Sequence, residues 1–237
     1  MSPGPRFLRL GAVAAALTVP TTLAIHLLPE LWADSLSFEA RLDLRTNAVY
    51  MARLFIVLFH CLLVVISMAA ARSLAPSASA AAAADFGFLA FLGFAYTETL
   101  RTSLALFALN RSWRAAYAAA ADAAARERAR ALIEGFSGIN DALFFVFIAC
   151  FFLGTLCYGV AFRRGGGLTS VIGWLFLAWT ALSAPGLIDA ATGAETLSAH
   201  FDWVGPYFQA PARGLIAVWL WRAGSAALRT PRAAEQR

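Results

Sequence analysis

Six runs of about 18 or more residues carry little or no charge: 7–28, 49–71, 86–109, 139–162, 168–188 and 204–222. Nothing else in the chain limits its fold so strongly. At 1.5 Å per residue, a helix of about 20 residues crosses a hydrocarbon core of about 30 Å. Backbone N–H and C=O groups in lipid have no water to bond, so spanning segments satisfy them internally, as helices or closed barrels. The alternation of a barrel strand is absent from these runs. The expected fold is all-α. It is an integral membrane bundle of six transmembrane helices in one domain, residues 1–222. One amphipathic extramembrane helix is expected between helices three and four, within a connector at 110–138, and a polar basic tail at 223–237.

Composition agrees. The chain is 60% hydrophobic and 14% charged, whereas a soluble domain is about 25% charged. All 19 basic residues are arginine. The absence of lysine excludes a lysine Schiff base and a phosphate-binding lysine motif. The net charge of +5 is spread over helix ends, which reads as snorkelling anchors at a membrane surface rather than nucleic-acid binding. Cys61, Cys150 and Cys157 lie in apolar runs without CxxC spacing, and read as small buried thiols.

The first run has Arg6 just before it, Arg9 at its start and Pro20 in its middle, where a kink is expected. It is too long for the apolar part of a typical signal peptide and lacks a clear cleavage site. It reads as a retained helix, with a cleaved signal as the alternative. Residues 29–48 and 189–203 read as polar loops, 72–85 as a short turn, and Pro185–Gly186 as the break ending helix five. In the connector, Asp122 with Arg126 and Arg130 with Glu134 are four apart, as helical ion pairs require. With the N-terminus inside, nine arginines flank the cytoplasmic helix ends and seven the opposite ends. That small excess, with Arg6 and Arg9 at the start of helix one, favours both termini in the cytoplasm of a bacterial inner-membrane protein.

The third run has a polar centre, Tyr96-Thr97-Glu98-Thr99-Leu100-Arg101-Thr102-Ser103, placing Glu98 near mid-membrane. A charge at that depth costs about 2.5 to 3.5 kcal/mol on insertion scales, so it turns inward and finds a partner. Arg101 shares a helix face with Glu98. His60 recurs with Arg53 and Ser67 at intervals of seven and falls at a similar depth; Arg213 stands near the middle of the sixth run. Glu98, Arg101, His60 and Arg213 form the candidate binding group. It is read either as structural pairing or as a cavity for a substrate, proton or lipid head group. Across helices, Glu98 is expected to pair with Arg213. No metal site or cofactor is expected: His26, His60 and His200 stand at different depths and lack ligand spacing.

Two resemblances add to this reading. Phe144-Phe145, Leu153-Gly154, Tyr158-Gly159, Arg163 ahead of Gly173, Pro211-Ala212-Arg213, and Trp219-Leu220-Trp221 followed by Gly224 carry the first. Over roughly residues 50–224 the chain resembles the bacterial six-helix membrane proteins catalogued as a domain of unknown function, number four thousand three hundred and eighty-six. That family implies a six-helix fold and no particular activity. It often has proline in the turn between helices four and five, where Gly165-Gly166-Gly167 stand here. It tends to carry glutamate where this chain has Arg213. The second rests on Gly135-Phe136-Ser137-Gly138 and Ala199-His200, which resemble the G-x-S-G and histidine of rhomboid intramembrane serine proteases. That resemblance implies Ser137 as nucleophile and His200 as base, but His200 falls in a polar loop without the H-x-x-x-N of that family. The chain reads as non-enzymatic, a carrier of small molecules or protons or a structural membrane subunit, with the protease as alternative. Its partner is the lipid bilayer, with a homo-oligomer allowed and nucleic acid not.

Overall fold

The computed structural model describes residues 4–28, 37–194, 197–200 and 204–229. Glu30, Asp34, Glu195, Asp202, the side chain of His200 and the tail beyond Arg229 lie outside these. Among the described residues every regular element is helical. The elements are α1 (Pro5–Leu27), α2 (Phe38–Asp43), α3 (Ala48–Arg72), α4 (Ala78–Ser103), α5 (Arg114–Ala119), α6 (Ala123–Phe162), α7 (Leu168–Thr192) and α8 (Val204–Arg229). A π-helical stretch, Leu104–Trp113, joins α4 to α5 without a break, making one helix of 42 residues. Five helices are long and apolar enough to cross a membrane: α1, α3, the α4–α5 helix, α6 and α7. Gln209, Pro211 and Arg213 interrupt the apolar character of α8.

Local chemistry sets the boundaries. The Asn47 side chain accepts from the N–H groups of Val49 and Tyr50 at 3.0 and 3.1 Å, capping α3. Ser77 caps α4 by accepting from Ala80 N at 3.2 Å. Residues 78–85, expected as part of a turn, are therefore helical. Their alanines are the strongest helix formers, and only 73–77 turn. Asp122 accepts from Ala125 N at 2.7 Å and starts α6 well ahead of the expected residue 139. The stretch 110–138 is thus no separate helix. It is shared between the end of the α4–α5 helix and the first turns of α6, against which Trp113 packs edge-on to Phe136. Inside the π stretch the Asn110 amide donates to the Ala105 carbonyl five residues back, at 2.6 Å, and side-chain insertion of this kind widens a helical turn. Pro185 does not end α7. It removes one backbone donor, which neighbouring helices and local adjustment tolerate. The helix stops at Gly193, whose φ of 71° is the left-handed conformation that favours glycine at a C-terminus.

The long helices form a ring in the order α1, α3, α4, α6, α7, α8. α8 packs along α1, α1 along α3, and each later pair in turn, but α7 and α8 touch only sparsely. At Gly11 a side chain would collide with the methyl of Ala70, so glycine lets α1 and α3 approach closely. Half of the ring is solid. There Leu8, Tyr158, Phe162, Ile172, Phe176 and Leu220 are fully buried. Phe91 meets Tyr158 edge-on at 5.4 Å, and the Tyr158 hydroxyl donates to the Met68 carbonyl at 2.8 Å, tying α6 to α3. These residues lie toward the end of the bundle that holds the N-terminus. The other half is open.

Candidate functional site

A cavity of about 940 Å³ occupies that open half. Every helix of the ring contributes to its wall: Thr22 and His26 from α1, His60 and Cys61 from α3, Glu98 from α4, Asp141 with three phenylalanines and an isoleucine from α6, Trp179, Ser183 and Asp189 from α7, Gln209 and Arg213 from α8. The aromatic half of the bundle forms its floor. Small-molecule pockets run about 300 to 1,000 Å³, so this cavity is at the upper end of that range.

Glu98, His60 and Arg213 all line the cavity, but Glu98 and Arg213 do not pair. Glu98 instead takes Arg101, one turn along its own helix. Arg101 Nε donates to Oε2 and Nη2 to Oε1, both at 2.8 Å, a bidentate fork. Arg101 Nη1 lies 3.4 Å from Asn140 Oδ1, and the guanidinium sits 5.8 and 5.6 Å from the ring centres of Phe144 and Phe147. The expected cross-helix pair fails because of ring order: α4 has α3 and α6 as neighbours, whereas α8 lies against α1.

Arg213 is 5% exposed, and its Nε has no hydrogen-bond partner among the described residues. No described carboxylate stands within ion-pair distance of it. The described ion pairs are Arg72–Asp85, Arg101–Glu98 and Arg130–Glu134. Its contact is with Trp179, whose ring centre lies 5.1 Å from the guanidinium carbon. A desolvated cation–π contact is worth about 2 kcal/mol, less than the several kcal/mol needed to take a cation out of water. Arg213 is therefore a buried cation that no carboxylate among the described residues balances.

Thr22 Oγ1 on the wall is likewise buried without a partner among the described residues, whereas His60 and Asp189 are bonded. His60 Nδ1 lies 2.7 Å from Thr21 Oγ1, which also reaches the carbonyls of Leu17 and Thr18 at 3.1 and 3.2 Å. An imidazole N–H donating to Thr21 satisfies all three contacts, the structural role open to a histidine between helices. Asp189, expected in a loop, is a buried residue of α7 and accepts from the N–H groups of Ser198 at 2.7 Å and Leu197 at 3.3 Å. Asp141 is exposed. Trp179, Gln209 and Asp189 were not among the expected site residues. Gln209 alone left a readable signal, standing four residues before Arg213 on the same face of a helix.

Ser137 lies outside the cavity. It is exposed, it stands within α6 rather than at a helix start, and its hydroxyl donates to the Glu134 carbonyl at 3.0 Å. The side chain of His200 lies outside the described residues. Among the described residues no three His, Cys, Asp or Glu side chains gather as a metal site would require. Compared with protein-family models, curated proteins and solved structures, the chain has no match.

Proposed function

We propose that this chain is a multi-pass membrane protein whose polar cavity binds a small molecule from one side of the bilayer, as a carrier does in one of its open states. The observation that carries this is the cavity itself, with a buried arginine on its wall that has no ion-pair partner among the described residues. Intramembrane charges that face a cavity mark ligand paths. A structural subunit would have a dry, closed core.

In this reading α8 is a sixth span, its Arg213 tolerated because it faces the cavity rather than lipid. Both termini lie in the cytoplasm of a bacterial inner membrane, and the cavity opens on the opposite side. The α4–α5 helix and α6 have 42 and 40 residues, about 60 Å each, twice the roughly 30 Å hydrocarbon core. Their ends around residues 110–138 form an extramembrane hairpin. The resemblance to the six-helix family of unknown function supports the span count. The exposed Ser137, bonded to its own helix, gives the protease alternative no support.

Side-chain accessibility tests the reading. Cys61, Cys150 and Cys157 are replaced by alanine, and Ser183→Cys and Thr180→Cys are made separately. Ser183 lines the cavity; Thr180, one turn away, bonds Thr155 at 3.0 Å in the core. A charged, membrane-impermeant thiol reagent is expected to label Ser183→Cys from one side only and to spare Thr180→Cys. If Ser183→Cys is spared from both sides, the cavity is dry and the reading falls.

A further inference from the structure

The chemistry of the cavity wall narrows what it takes. Resting on the reading of the cavity as a binding site, we infer that its ligand is an amphiphile with an apolar body and a single carboxylate, and that Arg213 receives the carboxylate. The argument begins with charge. Glu98 and Arg101 cancel, and the Asp189 carboxylate is held by two backbone N–H groups. Arg213 remains as a buried cation without a counterion among the described residues. A cationic ligand would meet that charge without a free buried carboxylate to receive it. A multiply charged anion would meet Asp189 and Asp141 on the same wall.

The shape of the cation sets the head group. Trp179 occupies a face of the guanidinium and uses none of its N–H groups. The planar guanidinium of Arg213, on the cavity wall, carries paired N–H donors in the geometry that matches the two oxygens of a carboxylate. Gln209 lines the cavity one turn before Arg213 and adds a side-chain amide donor on the same helix face. The rest of the wall sets the body: Phe94, Phe147, Ile148, Phe151 and Phe208 present rings and methyl groups, surfaces that favour an apolar chain or ring. The same chemistry is available from water, as a soluble carboxylate, and from the bilayer, as a fatty acid entering at the sparse α7–α8 contact.

The full-length Ser183→Cys protein, free of its native cysteines, is placed in phosphatidylcholine nanodiscs, and the labelling rate is followed with added benzoate, octanoate or benzyl alcohol. Benzoate and octanoate are expected to slow labelling at least about fivefold at saturation, and benzyl alcohol, the neutral relative of benzoate, to leave it unchanged. Arg213→Gln is expected to weaken protection at least about tenfold, in line with the loss of a charge-assisted hydrogen bond. Arg213→Lys keeps the charge without the fork; it should still label and show weakened protection, so the test survives if Arg213→Gln does not fold. Nanodiscs doped with oleate distinguish the sources: protection already present without added benzoate assigns the ligand to the bilayer, and its absence to water. Equal protection by benzyl alcohol, undiminished protection in both Arg213 variants, or labelling that neither carboxylates nor oleate slow would each overturn the inference while leaving the cavity in place. Failure of Ser183→Cys to label at all removes the cavity reading, and this inference with it.

Discussion

Removing Arg101 should destabilise the protein more than removing Glu98, although each change breaks the same pair. Glu98 is the buried partner, with its side chain 8% exposed, whereas that of Arg101 is 26% exposed. Arg101→Gln strands a carboxylate in the bundle. Breaking a fully buried pair in this way costs about 3 to 5 kcal/mol, and the partial exposure of Arg101 reduces that to about 2 to 3 kcal/mol. Glu98→Gln leaves a cation that keeps solvent contact and the faces of Phe144 and Phe147, so its cost is about 1 kcal/mol. The double change removes both charges and should cost less than the sum of the singles, with a coupling of about 1 to 2 kcal/mol. Equilibrium unfolding of the full chain in dodecylmaltoside–SDS mixed micelles reads all four states of the cycle. A second cycle, Glu98→Gln with Arg213→Gln, should show coupling within about 0.5 kcal/mol of zero, because the two charges lie on helices that are not ring neighbours. A larger loss from Glu98→Gln than from Arg101→Gln, or stronger coupling in the second cycle than in the first, would refute this account.

Two further expectations concern the solid half of the bundle, and the same unfolding assay reads both. Gly11→Leu forces side-chain atoms into Ala70 and should cost about 1 to 3 kcal/mol, the range for an overpacked interface, with Gly11→Ala less affected. Tyr158→Phe leaves the Met68 carbonyl without its 2.8 Å hydrogen bond and should cost about 0.5 to 1.5 kcal/mol; a neutral result would mean the bond contributes nothing.

The long apolar runs made five membrane-length helices legible, because span length and low charge are properties of the local sequence. So was the shared face of Glu98 and Arg101, since a spacing of three fixes it on any helix. What failed depends on information that local sequence does not carry. The alanines of 78–85 are weakly hydropathic but strongly helix-forming, so hydropathy placed a turn where Ser77 starts a helix. Pro185 looked like a stop, yet α7 runs through it to Gly193. The partner of Glu98 turned on which helices are neighbours in the ring. Trp179 was one of seven tryptophans, with nothing in its surrounding sequence to single it out as the one beneath Arg213.

The order of the ring has a bearing on how the molecule is made. Sequential neighbours α3, α4, α6 and α7 can join one another as each leaves the ribosome. α8, however, is received chiefly by α1, the earliest helix of the ring, and hardly by α7, the one just before it. The contact that closes the ring therefore joins its first and last helices and waits for α8. Until then His60 and Glu98 face a gap where Arg213 and Gln209 will stand. Until α8 is made, the polar wall built by the earlier helices stays uncovered on that side, and the cavity comes into being only when α8 closes the ring.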